Sequence, residues 1–104
     1  MWLRVHFDPP GFFLNDPRLS VRLGDRTLYE GSFKSGFDVS VEIPPGRHRL
    51  ETAIDVAGLA RKQTIELPLE ESGGYRDVPE VHAQLAYSRF WGNFEKRASL
   101  SVKR

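Results

Sequence analysis

The chain contains no cysteine. Disulfide bonds, thiol catalysis and thiolate metal sites are therefore excluded, and the composition fits a reducing compartment. A run of about 20 apolar residues, which a membrane-spanning helix requires, is also missing. Residues 1–7 are too short and too interrupted by polar side chains to act as a signal peptide. We therefore expect a cytoplasmic protein with no membrane span.

An excess of charge of one sign is missing as well. The 15 basic and 14 acidic residues leave a net charge of +1. Domains that hold nucleic acid or an anionic membrane surface usually carry a clear basic surplus. We therefore expect no nucleic-acid partner.

The familiar motifs of catalysis and cofactor binding do not occur. There is no Gly-x-Ser-x-Gly, no Gly-x4-Gly-Lys and no Gly-x-Gly-x2-Gly. His6, His48 and His82 fall on three different predicted strands, without the close spacing of a metal site. We expect no metal, no cofactor and no enzymatic activity. A hydrolase that pairs His82 or His48 with a carboxylate is an alternative that would require a concave pocket.

The residues that are present describe one small globular domain. Hydrophobic residues make up 39% of the 104 residues and aromatic residues 12%. That is enough apolar surface for a single core but leaves no room for a second one. We expect residues 1–104 to form one domain.

Short stretches of alternating apolar and polar residues, bounded by Gly, Pro or Asn, run through the chain. Leu3, Val5 and Phe7 alternate with polar residues, the period of a strand with one buried face. Gly24-Asp25 is typical of a two-residue hairpin turn. The predicted strands are 2–7, 18–23, 27–30, 37–43, 47–54, 64–67, 81–87 and 94–102. Seven or eight short strands predict an all-β fold, either an antiparallel β-sandwich or a small barrel.

The clearest pattern lies at residues 37–54. Two alternating stretches flank Pro44-Pro45-Gly46, where neither proline can donate to a strand ladder and Gly46 can adopt a positive φ. The pattern predicts a hairpin. Its outward charges, Asp38 and Glu42 on one strand and Arg47 and Arg49 on the other, would then pair across it. His48 would face inward and bond to a backbone group.

Residues 47–61 are open to two interpretations. Leu50, Ile54 and Ala57 are spaced as on one face of a helix. Alternation resumes at residues 64–67, and Gly58 would weaken a helix interior. We favour two strands joined near residues 56–58. Residues 68–80, rich in Gly, Pro and charge, are the longest predicted loop.

Two aromatic clusters flank predicted turns. Phe12 and Phe13 lie in a loop, and the last turn is surrounded by Tyr87, Phe90, Trp91 and Phe94 beside Arg89. Neighbouring residues on a strand face opposite sides, so adjacent rings cannot all point inward. At least one ring of each adjacent pair should be partly exposed. These residues either plug the ends of the core or form a contact patch of the kind found at binding hot spots.

A resemblance to the PEGA-type domains is carried by Val21-Arg22-Leu23-Gly24-Asp25-Arg26 and by Val41-Glu42-Ile43-Pro44-Pro45-Gly46-Arg47-His48-Arg49-Leu50. These domains are small β-sandwiches found as accessory modules in bacterial proteins, often exported or membrane-anchored ones. The similarity covers about residues 19–54, whereas residues 81–104 have no counterpart. It implies a non-catalytic binding or structural role and transfers no site residue.

Together these features predict a non-catalytic interaction or structural module. It would bind a protein partner, or a second copy of itself, through the loop aromatics or an open sheet edge. The candidate contact residues are Phe12, Phe13, Tyr87, Arg89, Phe90, Trp91 and Phe94. The alternative is a β-sandwich that binds carbohydrate or another small ligand. Trp91 and Tyr87 would then stack on sugar rings, with Asn93, Arg89 and Asp16 supplying hydrogen bonds.

Overall fold

The computed structural model describes residues 1–11, 13, 15–44, 46–56, 58–69, 80–89 and 91–103. Within these ranges the chain is all β, so no helix there is long and apolar enough to span a membrane. The strands are β1 (Trp2–Phe7), β2 (Arg18–Leu23), β3 (Arg26–Ser32), β4 (Phe37–Glu42), β5 (Gly46–Val56), β6 (Leu59–Leu69), β7 (Glu80–Gln84), β8 (Tyr87–Ser88), β9 (Asn93–Phe94) and β10 (Ser99–Lys103).

Two four-stranded sheets pack face to face. Sheet A has the order β10-β7-β1-β4, sheet B has the order β3-β2-β5-β6, and β8 and β9 form a separate short hairpin. Neighbouring strands are antiparallel except β1 and β7, which run parallel. Over the described residues both sheets keep open edges. The predicted β-sandwich is therefore confirmed. The alternative of a small barrel is wrong.

The core fills the space between the sheets with the inward residues of each strand. Alternation places Leu3, Val5 and Phe7 of β1 opposite the inward residues of sheet B. Fully burying one such aliphatic side chain contributes about 1.5–3 kcal/mol. The buried residues of the other long strands are Leu19, Val21, Leu23, Phe37, Leu50, Thr52, Ile54, Ile65, Leu67, Leu69, Val81 and Ala83.

Two of the predicted turns are confirmed. Leu23 pairs with Arg26 across Gly24-Asp25, and Gly24 has a φ of 58°, which glycine adopts without a steric penalty. Strands β5 and β6 pair along their whole length, from Gly46 with Leu69 to Val56 with Leu59. The helix considered for residues 47–61 is therefore wrong.

The hairpin predicted at residues 37–54 is wrong, although both of its strands exist. Strand β4 pairs with β1 in sheet A, with Val39 opposite Val5. Strand β5 pairs with β2 and β6 in sheet B, with Leu50 opposite Leu23 and Ile65. Residues 43–45 therefore carry the chain from one sheet to the other.

This crossover has a simple physical basis. The chain passes from Glu42 at the end of β4 to Gly46 at the start of β5, across the distance of about 10 Å that separates two packed sheets. The end of β4 stays paired with the start of β1, because Ile43 N donates to Met1 O over 2.9 Å. Pro44 has no N–H to donate to a hairpin ladder. Alternation reports only that one face is buried, and both inner faces of a sandwich bury the same core.

The charge pairs predicted across this hairpin are wrong for the same reason. The Asp38 carboxylate pairs with Arg4 on β1, and Arg49 Nε lies 3.4 Å from Glu66 Oε1 on β6. His48 is half-buried, and its Nε2 lies 2.8 Å from the Pro44 carbonyl oxygen. The predicted backbone bond of His48 and the positive φ of Gly46, 145°, are confirmed.

The strands predicted at 81–87 and 94–102 are each interrupted. Strand β7 ends at Gln84, where Leu85 N donates to His6 O over 2.8 Å and the chain turns into the β8–β9 hairpin. Strand β10 begins only at Ser99, after bends at Lys96 and Arg97. In the predicted loop 68–80, Pro68 and Leu69 belong to β6, Glu80 begins β7, and residues 70–79 lie outside the described residues.

Candidate functional site

The two ends of the sandwich are built differently. The crossover end holds Met1, Ile43, Gly46 and the Gly24-Asp25 turn. The aromatic end holds residues 8–11, 13, 15–17 and 33–36, together with the described residues of the β5–β6 turn and the β8–β9 hairpin. The candidate contact residues that the structure describes belong to the aromatic end.

Phe33 is the centre of the aromatic end. It is 1% exposed, and its ring centroid lies 5.5 Å from that of Phe7, 5.2 Å from Phe13, 4.9 Å from Tyr87 and 6.2 Å from Phe94. Three of these four contacts are edge-to-face, an arrangement that aromatic quadrupoles favour. These rings close the core at this end.

The candidate contact residues separate into three groups. Phe94 is 2% exposed and belongs to the core, so it cannot meet a partner directly. Phe13 and Tyr87 are half-buried, whereas Arg89 and Trp91 are exposed, Trp91 by 70%. Partial exposure of one ring in each adjacent pair is therefore confirmed. Phe12 and Phe90 lie outside the described residues.

Arg89 is fixed in place by two contacts with the loop that follows β1. Its Cζ lies 4.5 Å from the centroid of the Phe13 ring, in a cation–π arrangement. Its Nη2 donates to the Pro10 carbonyl oxygen over 2.8 Å. The guanidinium therefore forms a positioned, charged wall beside the aromatic rings.

Hydrogen bonds also anchor the two remaining segments of this end. The Ser32 hydroxyl and the Lys34 amide donate to the two carboxylate oxygens of Asp16, over 2.6 Å and 3.1 Å. These bonds, led by that of Ser32, lower the pKa of Asp16. The Asn93 side-chain amide donates to Lys62 O over 2.9 Å, which holds the β8–β9 hairpin against β6.

A cleft of about 580 Å³ opens between these anchored segments and the inward side of β6. This volume is within the range of small-ligand and peptide side-chain sites. We name it the aromatic-end cleft. Phe33 and Ile54 lie at its base, and its outer wall includes Phe13, Leu59, Arg61, Tyr87, Arg89 and Gly92.

Leu59 and Arg61 are two exposed cleft residues that were not among the contact residues predicted from the sequence. They lie opposite Val56 and Ile54 in the β5–β6 pair, so both are on the inward side of sheet B. Both are nevertheless exposed, Leu59 by 76%, because sheet A does not cover this end of β6. In the sequence, Leu59 and Arg61 are an even number of residues from the predicted strand residues Ile65 and Leu67. That spacing indicates the same face of one strand.

Trp91 belongs to a neighbouring groove of about 820 Å³ rather than to the cleft itself. That groove is also lined by Gln63, Asn93, Lys96 and Arg97. Gly92, the next residue along the turn, lines the cleft. Trp91 is therefore next to a cleft residue in sequence, but its exposed indole lines a separate groove.

Two groups proposed as sugar ligands are bonded within the fold. Asn93 uses its amide nitrogen on Lys62 O, and its amide oxygen accepts from Phe94 N over 2.9 Å. Both carboxylate oxygens of Asp16 accept bonds from the 32–34 segment. Either residue would have to share these bonds with an incoming hydroxyl.

The outer face of sheet A carries the other charged cluster. His6 Nε2 lies 2.6 Å from Asp8 Oδ1, and the Arg4 guanidinium bonds the Asp38 carboxylate, which lowers the pKa of Asp38 and raises that of Arg4. His82 Nε2 lies 3.3 Å from Glu80 Oε1 without hydrogen-bond alignment. In the described part of the chain, no three His, Asp or Glu residues converge as a metal site.

Comparison of the chain with protein-family models, curated proteins and solved structures found no match to any of them.

Proposed function

We propose that this chain is a non-catalytic interaction module that binds a protein partner at the aromatic-end cleft. The observation that carries this proposal is Leu59, whose side chain is 76% exposed at the rim of a cleft walled by half-buried rings. Isolated exposed apolar residues are ordinary on protein surfaces. Here Leu59 lines one cleft together with Phe13, Tyr87 and Arg89, and Tyr and Arg are residue types enriched at binding hot spots.

The cleft is also preorganised for binding. Arg89 is held by Pro10 and Phe13, and the β8–β9 hairpin is held by Asn93. Side chains already fixed in position lose little further entropy when a partner binds. This rigidity supports a binding site more strongly than exposure alone would.

The resemblance to PEGA-type domains implies an accessory role in a bacterial protein or complex, and we include that role in the proposal. The open edges of the two sheets, β4 and β10 in sheet A and β3 and β6 in sheet B, offer a second mode of association. We favour the cleft, because it places the most exposed large apolar side chain, Leu59, beside the half-buried rings of Phe13 and Tyr87.

The proposal is tested by selecting a random peptide-display library on the purified protein and measuring the enriched peptides by fluorescence anisotropy. Leu59→Ser should abolish their binding while the variant keeps its far-UV circular dichroism and unfolding midpoint. Trp2→Ser is the matched control. Trp2 is also exposed, by 48%, but it lies on β1 near the crossover end.

If every enriched peptide binds the Leu59→Ser variant as tightly as the unmodified protein, the cleft is not the binding site. Sedimentation velocity of the same variants tests whether the partner is a second copy of the chain. Concentration-dependent dimers that persist in Leu59→Ser would move the interface to a sheet edge.

A carbohydrate ligand is the second candidate, and it is favoured by the 70% exposure of Trp91 in its groove. The fluorescence of Trp91 in a Trp2→Phe background, titrated with a glycan panel, separates the two candidates. A saturable change that Trp91→Ala removes would support the sugar. A flat response across the panel would eliminate it.

A further inference from the structure

The charged residues that line the aromatic-end cleft are all of one sign. They are Arg61 and Arg89, and no described carboxylate lines the cleft. This local imbalance differs from the chain as a whole, which has a net charge of only +1. The cleft therefore has a charge preference that the composition conceals.

Arg61 is the arginine of the cleft that is available to bind an anionic group. Arg89 is occupied in fixing the Phe13 wall through Pro10. Among the described residues, Arg61 has no hydrogen bond or ion pair. Asp55, which is close to it in the β5–β6 ladder, pairs in register with Ala60 and so lies on the opposite face of the sheet.

Space beside Arg61 is preserved by Gly92. A Cβ built on residue 92 would lie 3.9 Å from Arg61 Cζ and 3.9 Å from the Tyr87 hydroxyl. A larger side chain would extend into the region where the guanidinium and the phenol face the cleft. The planar donor fork of Arg61 is therefore open to a bidentate acceptor beside an aromatic ring.

We infer that the partner of this cleft is a peptide segment that presents a carboxylate next to a large apolar side chain. The carboxylate would pair with Arg61, and the apolar side chain would enter between Leu59, Phe13 and Tyr87. This inference concerns the same aromatic-end cleft as the proposed function and therefore rests on it. It adds the chemistry of the partner.

An extended peptide fits better than a small free anion. The cleft of about 580 Å³ holds only one or two side chains, and Leu59, 76% exposed, extends the apolar surface at its rim. A partner that covers this continuing surface must be longer than the cleft. Phosphorylated peptides or nucleic acid would use the same cations, but two arginines supply little of the counter-charge that a polyanion requires.

The test uses the display selection described above, followed by two charge-reversal variants. Enriched peptides should combine Asp or Glu with Phe, Trp, Leu or Ile within a few positions. Arg61→Glu should weaken the best of them about tenfold to a hundredfold, the loss expected for one charge-assisted hydrogen bond. Arg61→Lys should recover part of the affinity.

Lys62→Glu is the matched control, because it changes the net charge by the same amount one residue away. Lys62 is exposed on the opposite face of β6 and does not line the cleft. Its effect should stay within about threefold and should shrink as salt screens it.

The outcomes separate the two claims. Apolar peptides without acidic residues that require Leu59 but not Arg61 would overturn this inference and leave the proposed function intact. Equal losses in Arg61→Glu and Lys62→Glu would also overturn it, since the effect would then be general charge. The absence of any peptide that depends on Leu59 would overturn the proposed function and this inference with it.

Discussion

The crossover end and the aromatic end close the same core by different means. At the crossover end the closure is largely main-chain bonding: Ile43 N donates to Met1 O, Met1 N donates to Ile43 O, and Arg26 donates to the Glu42 carbonyl oxygen. At the aromatic end the closure is a set of packed rings around Phe33.

This difference affects what each end can bind. Main-chain bonds close the crossover end without a set of packed rings, and the exposed large apolar residue near it is Trp2 of β1. Rings that close a core have edges, and some of those edges remain at the surface. In this chain they leave a cleft with an exposed Leu59 at its rim. The aromatic rings that close the core therefore also form walls of the candidate site.

The largest effect should come from removing the central ring. Phe33→Ala should lower the free energy of unfolding by about 3–5 kcal/mol, because it leaves a cavity between four other rings. Phe33→Leu keeps most of the volume and should cost less than about 1.5 kcal/mol. Urea unfolding followed by circular dichroism gives both values. A loss below about 1.5 kcal/mol in Phe33→Ala would show that packing around Phe33 does not seal this end.

A smaller effect should distinguish the two ends through their glycines. Gly36 at the aromatic end has a φ of 65°, and Gly24 at the crossover end has a φ of 58°. A Cβ on Gly36 would collide with the Phe7 carbonyl oxygen and lie 2.9 Å from Pro9 N, whereas a Cβ on Gly24 would meet nothing within 4 Å.

Gly24→Ala should therefore cost only the strain of its backbone conformation, about 1–2 kcal/mol. Gly36→Ala adds a clash with main-chain atoms that cannot rotate away, so its unfolding midpoint should fall clearly further. Thermal unfolding of the two variants side by side measures the difference. Equal midpoints would mean that the loop at 33–36 shifts without cost and that the aromatic end is the looser of the two.

Much of the fold could be predicted from the sequence, because alternation reports which residues face the core. Strand β1 and the Gly24-Asp25 turn were predicted with the bounds that they have. The pairing of β4 could not be predicted. Its alternating residues look the same whether the next strand lies beside it or in the facing sheet, and only long-range register separates the two.

The candidate site was predictable only in part. Phe13, Tyr87 and Arg89 stand out because adjacent aromatic residues cannot all be buried, and all three line the cleft. Phe94 belongs to an equally aromatic stretch but is buried, because β9 places its ring against the core rings of Phe7 and Phe33. Leu59 and Arg61 have unremarkable neighbours in sequence, and their exposure results from where sheet A ends.

The smallest effect concerns acid, and it tests the hydrogen bonds that hold the rings in place. Because Ser32 and Lys34 lower the pKa of Asp16 in the folded state, the unfolded chain binds more protons as the pH falls below about 4. The stability that Asp16 contributes is present above that pH and is lost as the pH falls through the lowered pKa. Asp16→Asn should therefore reduce the melting temperature slightly at pH 7 and lose part of the decline seen between about pH 4 and pH 2.

Asp25→Asn, in the crossover-end turn, is the control for removing one carboxylate, and Asp38, whose pKa Arg4 also lowers, remains in both variants. Melting curves of both variants, measured across this pH range, test the expected difference. If Asp16→Asn and Asp25→Asn follow the same pH dependence, the Asp16 bonds do not hold the aromatic end closed.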